Sequence, residues 1–235
     1  MNGRIITRPG TESPRLKFPR IGKIKIGMKN AKGFPQSVDY FIATGKYAGL
    51  FTQAYGDKPQ TIQIVFPDDD PETVCNEIYT YRDNSGALLA RGDGSIFEVW
   101  NGKQYVKYNV EQYPDIMERI TRNNPTKKGA ENWEIELTLR FIIPKIRGVV
   151  GVWELVTKGR ASSIQNIKNS FDSVQIIRGS VTQTVFDLSV QFAKSNKPGV
   201  NSRYPVINIV ANDNRIEEIK QMLQPQTKIN LLIKG

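Results

Sequence analysis

Apolar residues alternate with polar ones through most of this chain and fall at helical spacing in only a few segments, a pattern that predicts a strand-dominated protein. Leu16-Lys17-Phe18 and Ile21-Gly22-Lys23-Ile24-Lys25-Ile26 read as strand, with one face buried and Lys23 and Lys25 pointing together from the other. Strands are also predicted over Val38–Ala43, over Thr61–Phe66 with Ile62, Ile64 and Phe66 on one face, and over Ala87–Arg91. Ile96, Val99 and Trp100 lead into Asn101-Gly102, a strong hairpin signal, and Tyr105, Val106 and Tyr108 form the returning strand. The clearest strand runs from Trp133 to Ile143, with every odd position apolar until Pro144 ends it. Further strands are expected at Val149–Thr157, Phe186–Phe192, Val206–Val210 and Ile229–Ile233.

Helical spacing predicts four short elements. Asp70 reads as an N-cap with Pro71 at N1, and Val74, Ile78 and Tyr81 extend that helix to about Tyr81. A second covers Asp115–Arg122. In a third, Ser162 or Ser163 caps a face carrying Ile164, Ile167, Phe171 and Val174, and Ile216, Ile219 and Leu223 mark the fourth. The fold class is therefore α+β, a strand-rich mixed or antiparallel sheet with about three or four helices. Residues 1–15 are rich in Gly, Pro, Thr, Ser and Arg without periodicity and read as a flexible basic arm. Residues 16–235 read as one α+β domain, divisible into two lobes near residue 130.

Charge changes this picture. The net charge of +10 is carried largely by the first 32 residues, where nine basic side chains (Arg4, Arg8, Arg15, Lys17, Arg20, Lys23, Lys25, Lys29 and Lys32) face the single acid Glu12. Such a stretch attracts polyanions and makes these nine the first candidate nucleic-acid contacts, although lysines on an edge strand also serve to block unwanted pairing. The second candidate is the hairpin set Trp100, Lys103, Tyr105, Lys107 and Tyr108, since aromatics interleaved with bases can stack nucleotides as well as fill a core.

With no histidine in the sequence, histidine-based general catalysis and catalytic triads are excluded. One cysteine, Cys75, rules out an internal disulfide and a zinc ribbon; beside an apolar stripe it reads as a small buried hydrophobe. Asp68, Asp69 and Asp70 can be read as hard-oxygen ligands for Mg²⁺, but consecutive acids diverge in direction, and helix capping accounts for them without a metal. Gly92-Asp93-Gly94 has the spacing of a tight turn rather than of a phosphate-binding loop. Neither a cofactor nor an enzymatic activity is expected. No export signal or membrane span is visible, so the cytoplasm of a bacterial host is the expected location.

Three segments together resemble one family. Leu16-Lys17-Phe18-Pro19-Arg20-Ile21-Gly22-Lys23-Ile24-Lys25-Ile26-Gly27, Ala90-Arg91-Gly92-Asp93-Gly94, and Gly151-Val152-Trp153-Glu154-Leu155-Val156-Thr157 followed by Ser163-Ile164 resemble the recombination directionality factor-like family of phages and mobile elements. Lys197-Pro198-Gly199 ahead of Arg203-Tyr204-Pro205-Val206 extends the resemblance to roughly residue 210. It implies a non-enzymatic accessory protein that binds a large serine integrase on DNA and turns it from integration toward excision. Many members of the family that the chain resembles carry a cysteine before the Gly-Asp-Gly and a cysteine-rich ribbon after it; here Ala90 stands in that place and no cysteine lies between Arg91 and Pro144. The family's metal site is thus missing, and residues 109–132 are where its replacement is expected. Two other readings fit the charge: a phage replication protein that coats single-stranded DNA, and a virion protein whose arm contacts packaged nucleic acid.

Overall fold

The computed structural model describes residues 18–126, 132–195, 199 and 201–212. The helix expected at Ile216–Leu223 and the strand expected at Ile229–Ile233 lie outside these residues. Among them run eleven strands and four helices: β1 Arg20–Lys29, β2 Pro35–Thr44, α1 Ala48–Tyr55, β3 Thr61–Val65, α2 Pro71–Val74, β4 Cys75–Arg82, β5 Leu88–Gly92, β6 Ile96–Trp100, β7 Tyr105–Asn109, α3 Ile116–Asn123, β8 Trp133–Phe141, β9 Val152–Thr157, α4 Gln165–Arg178, β10 Val185–Lys194 and β11 Arg203–Ala211. The expected α+β class is what the chain adopts.

Eight strands form one sheet in the order β2-β1-β9-β8-β4-β5-β6-β7, and three form a second in the order β11-β10-β3. Neighbours are antiparallel except β1 and β9, which run parallel with Gly22 beside Trp153 and Ile24 beside Leu155. The alternation read from the sequence explains the layering. Ile24, Leu137, Leu139, Phe141, Trp153 and Leu155 of the large sheet share one core with Ile62, Ile64, Phe186, Leu188, Ile207 and Ile209 of the small sheet. Phe51 of α1 and Ile167 and Phe171 of α4 complete this core. At its centre the Phe66 ring stands edge-on to Phe171 at 5.1 Å and to Phe186 at 5.2 Å.

A smaller core lies at the other end of the large sheet, where Ile116 and Ile120 of α3 pack on Tyr81, Ala90 and Phe97. Trp133 sits 5.1 Å from Tyr81 and 5.4 Å from Phe97, and its indole N–H donates to Thr121 Oγ1 at 3.0 Å. The Tyr81 hydroxyl donates to the Asn124 carbonyl at 2.8 Å, closing the C-terminal end of α3. Apolar and aromatic packing together with these two hydrogen bonds fastens α3 to the sheet.

Three expectations are corrected. The helix begun by Asp70 and Pro71 stops at Val74, and Cys75–Arg82 is a strand between β8 and β5. Its Ile78-Tyr79-Thr80-Tyr81 run is β-branched and aromatic, and pairing on both sides overrides a helical spacing that rests on three residues. Neither Ser162 nor Ser163 caps α4. A π-helical turn over Arg160–Ile164 leads into it, and Ser163 Oγ instead accepts a hydrogen bond from the Ile207 N–H at 3.0 Å, covering part of the edge of β11. Finally, β1 is flanked by β2 and, as far as Ile24, by β9, so Arg20 and Lys23 do not lie on an outer edge of the sheet, whereas Lys25 and Lys29 lie beyond the last β9 pair.

Candidate nucleic-acid interface

Strand alternation sends Lys23 and Lys25 to the face of the large sheet turned away from its core, together with Glu154, Arg140, Glu136, Arg82, Arg91, Glu98 and Lys107 of its neighbours. Carboxylates gather the cations of this face into clusters. Buried Glu154 takes Arg20 at 3.1 Å, Lys23 at 3.6 Å and Arg140 at 3.5 Å. Glu136, also buried, is held by Arg82 at 3.2 Å and Lys158 at 3.0 Å, and Lys158 reaches Glu134 as well. Burial pushes the Glu136 carboxyl up, but the hydrogen bonds and charges of Lys158 and Arg82 outweigh it and leave the group below its ordinary range. Lys158 is driven the other way: burial lowers it, and its two glutamate partners raise it above the usual lysine value.

On the β6–β7 hairpin, Trp100 and Tyr105 stand directly opposite each other with ring centroids 5.2 Å apart, 41% and 38% exposed. The Arg91 guanidinium lies 5.5 Å from the Tyr105 ring and pairs with Glu98 at 2.7 Å; Lys107 reaches the other Glu98 oxygen at 3.9 Å. The Tyr105 hydroxyl donates to the Leu88 carbonyl at 2.8 Å. Tyr108 does not join this group. It is paired with Phe97 on the opposite face, meets Tyr113 edge-on at 5.3 Å and packs against the smaller core. The expected five-residue cluster is therefore split by the period-two alternation of β7, and Lys103 lies apart in the turn, where Asn101 Oδ1 accepts from the backbone N–H of Lys103 and of Gln104.

Lys25, Lys29 and Lys32 differ from Arg20 and Lys23. They are exposed, and among the described residues no ion pair falls on them. Lys25 lines a groove of about 450 Å³ with Lys23, Ser37, Glu154 and Lys158. Beyond it, β1 and β2 continue as a two-stranded ribbon bearing Lys29, with Lys32 in its turn. This ribbon is not visible in the sequence, because the point at which β9 stops pairing with β1 is a property of the assembled sheet. Arg4, Arg8, Arg15 and Lys17 lie outside the described residues.

The acidic run does not converge. Asp68 Oδ1 accepts from the Asp70 N–H, Asp70 Oδ1 from the Glu72 N–H at the start of α2, and Asp69 from Ser180 Oγ, the Val181 N–H and the Thr182 N–H. Among the described residues no three His, Cys, Asp or Glu side chains stand together as metal ligands. Cys75 is a buried thiol pushed up to about 12, chiefly by burial, with Lys168 pulling the other way. A cysteine-bound metal of the kind carried by cysteine-ribbon proteins does not fit this donor set. In the Gly92-Asp93-Gly94 turn, Asp93 Oδ1 accepts from the N–H groups of Ser95 and Ile96 at 2.7 and 2.8 Å, which commits the carboxylate to the turn itself.

Two of the segments that carried the family resemblance meet in space and a third shapes a turn, while Leu16, Lys17, Lys197 and Pro198 lie outside the described residues. Ile21-Gly22-Lys23 and Gly151-Val152-Trp153 lie side by side across the parallel β1–β9 pair, and a Cβ at Gly151 would fall 2.3 Å from Ile21 Cγ2. A Cβ at Gly92 would fall 2.4 Å from the Ile96 carbonyl oxygen, so the Gly-Asp-Gly turn requires glycine there on space alone. No curated protein and no solved structure matched the chain. A family model described as Gp3-like, recombination directionality factor-like, matches residues 21–212. That span takes in the seam, the turn and both sheets, and the chain belongs to the recombination directionality factor-like family.

Proposed function

We propose that this protein is a non-catalytic accessory factor of DNA recombination in a phage or mobile element, which engages a large serine integrase and favours excision. The observation that carries the reading is membership of the family over residues 21–212. The chemistry agrees with a binding role: no histidine is present, the single thiol is buried and protonated, and the carboxylates of the acidic run are occupied in structural hydrogen bonds. DNA contact, direct or through the integrase, falls to the basic side chains of the arm and of β1, within the cytoplasm of the host cell.

The test is a recombination assay with the integrase encoded on the same element. Adding this protein is expected to form a complex with the integrase on attachment-site DNA and to shift the products toward excision. Absence of both the complex and the shift rejects the reading.

Coating of single strands is the second reading, favoured by the exposed Trp100–Tyr105 pair. Its cationic surround is weaker than the sequence promises, since Arg91 and Lys107 share Glu98 and Arg20 and Lys23 share Glu154. Tight binding to single strands that quenches tryptophan fluorescence would favour it over the first.

A further inference from the structure

β9 pairs with β1 only as far as Ile24, after which β1 has β2 as its one neighbouring strand among the described residues. The pairs Gly27–Ser37, Met28–Gln36 and Lys29–Pro35 therefore form a two-stranded ribbon, and every residue from Gly27 to Ser37 is exposed except Asn30, which is half-buried. Its tip is held by hydrogen bonds. Asn30 Oδ1 accepts from the N–H of Lys32 at 2.9 Å and of Phe34 at 3.0 Å, and the Asn30 N–H donates to the Phe34 carbonyl at 2.9 Å. Gly33 takes the positive φ of 80° that this turn needs.

The ribbon joins cations to apolar groups. Lys23 and Lys25 share a side of β1, Lys29 follows beyond the register shift between Lys25 and Gly27, and Lys32 lies in the turn. Met28 and Phe34 are 46% and 64% exposed. The Met28 thioether accepts from the Tyr40 hydroxyl at 3.6 Å, and Lys58 stands 5.6 Å from the Tyr40 ring, whereas the Phe34 ring projects at the tip. From Arg20 to Val38 the sequence holds five cations and no acid. Lysines alone would suffice to protect a ribbon from edge-to-edge pairing. An apolar aromatic at the tip of an acid-free basic ribbon calls for a partner that is both polyanionic and able to accept an apolar group between or against its bases.

Duplex DNA meets both conditions. Two strands about 4.8 Å apart, with their side chains, match the roughly 12 Å width of the major groove, where an apolar side chain such as Phe meets the thymine methyl group. We infer that the β1–β2 ribbon is a duplex-DNA arm, in which Lys25, Lys29 and Lys32 contact phosphates and Phe34 contacts the bases. This rests on the proposed function only in taking DNA as the working substrate.

The test uses the full chain and a fluorescently labelled duplex, with anisotropy measured between about 50 and 200 mM salt. Lys29→Gln combined with Lys32→Gln is expected to weaken binding and to reduce the slope of log affinity against log salt by about 1.8, as when two phosphates are no longer neutralised. Phe34→Ala is expected to weaken binding by about ten-fold with the salt slope unchanged, as for a side chain that meets bases rather than phosphates. Arg119→Gln, at an exposed position of α3, serves as the control, and unfolding curves of all variants establish that they fold. Wild-type protein that fails to bind duplex, or ribbon variants that bind it as wild type does, would overturn the inference. If those variants keep duplex binding but lose the integrase, the ribbon is a protein-docking surface instead. Excision measured in parallel separates the two ideas: redirection without ribbon-dependent DNA binding sinks the arm alone, and ribbon-dependent binding without redirection sinks the recombination reading alone.

Discussion

The indole of Trp153 fills the space that a side chain at position 22 would need: a Cβ on Gly22 would lie 2.3 Å from Trp153 Cζ3 and 2.9 Å from the Thr44 carbonyl oxygen. The ring is 1% exposed and packs 6.1 Å from Phe51, so it cannot move aside without opening the larger core. Gly22→Ala is therefore expected to lower stability by about 1 to 3 kcal/mol, read from urea unfolding. Gly27→Ala, further along the same strand, meets nothing nearer than the Gln36 carbonyl oxygen at 3.5 Å and should stay within about 0.5 kcal/mol of wild type.

Asp69 ties the α2 turn to the segment after α4. Its carboxylate accepts from Ser180 Oγ at 2.9 Å, the Val181 N–H at 2.6 Å and the Thr182 N–H at 3.1 Å, while its carbonyl accepts from Gln175 Nε2 at 3.0 Å. Asp69→Ala leaves the carboxylate's donors unmatched and is expected to cost about 2 to 3 kcal/mol. If Mg²⁺ or Mn²⁺ raised the melting temperature of wild type but not of this variant, Asp69 would be a metal ligand and its structural assignment would be wrong.

The Arg82–Glu136–Lys158 cluster should give the protein an acid and an alkaline limit. Glu136 lies below its ordinary value of 4.5 in the folded state, so its contribution is present above 4.5 and lost as pH falls through the lowered value. Lys158 lies above its ordinary 10.5, so its contribution is complete below 10.5 and lost as pH rises through the raised value. Glu136→Gln should flatten the acid limb of a stability-versus-pH curve from chemical unfolding. An unchanged acid limb would assign the acid loss to other carboxylates.

The two cores should open separately. Phe97→Ala is expected to cost about 3 to 5 kcal/mol locally, because Phe97 is 1% exposed and stands between Tyr79 and Trp133. Hydrogen exchange should quicken in β5, β6, β7 and α3 while β9 and β10 keep their protection. Uniform acceleration across both sheets would mean that the eight-stranded sheet opens as one unit.

Cys75 should be unreactive toward thiol reagents at neutral pH until the protein unfolds, because burial pushes the thiol up to about 12 and only a trace of thiolate exists. Labelling that is fast in native conditions would require an opening of β4.

Where one residue type decides the outcome, the fold is legible in the sequence. The odd-numbered apolar run of β8, the Asn101-Gly102 turn between β6 and β7, and the Asp70-Pro71 start of α2 are all readable from local chemistry. What is not legible depends on distant partners. Cys75–Arg82 is a strand because β8 and β5 supply partners on either side, and Ser163 serves the Ile207 N–H, 44 positions away, rather than its own helix. For the candidate interface, the basic and aromatic side chains stand out along the chain, but the pairing of Glu98 and Glu154 with them across strands does not. That Tyr108 faces away from Tyr105, by contrast, is legible, because residues three apart on one strand fall on opposite faces.

The parallel β1–β9 pair also imposes an order on biosynthesis. Arg20 and Glu154, bonded across this seam, are 134 positions apart, and at typical translation speeds their meeting waits on the order of ten seconds after β1 leaves the ribosome. Through that interval the β1–β2 hairpin can form while the slot reserved for Trp153 stays vacant, its Gly22 edge bare to any other strand. β1 is in this sense made long before it is enclosed, and its lysines guard the nascent chain during the wait for β9.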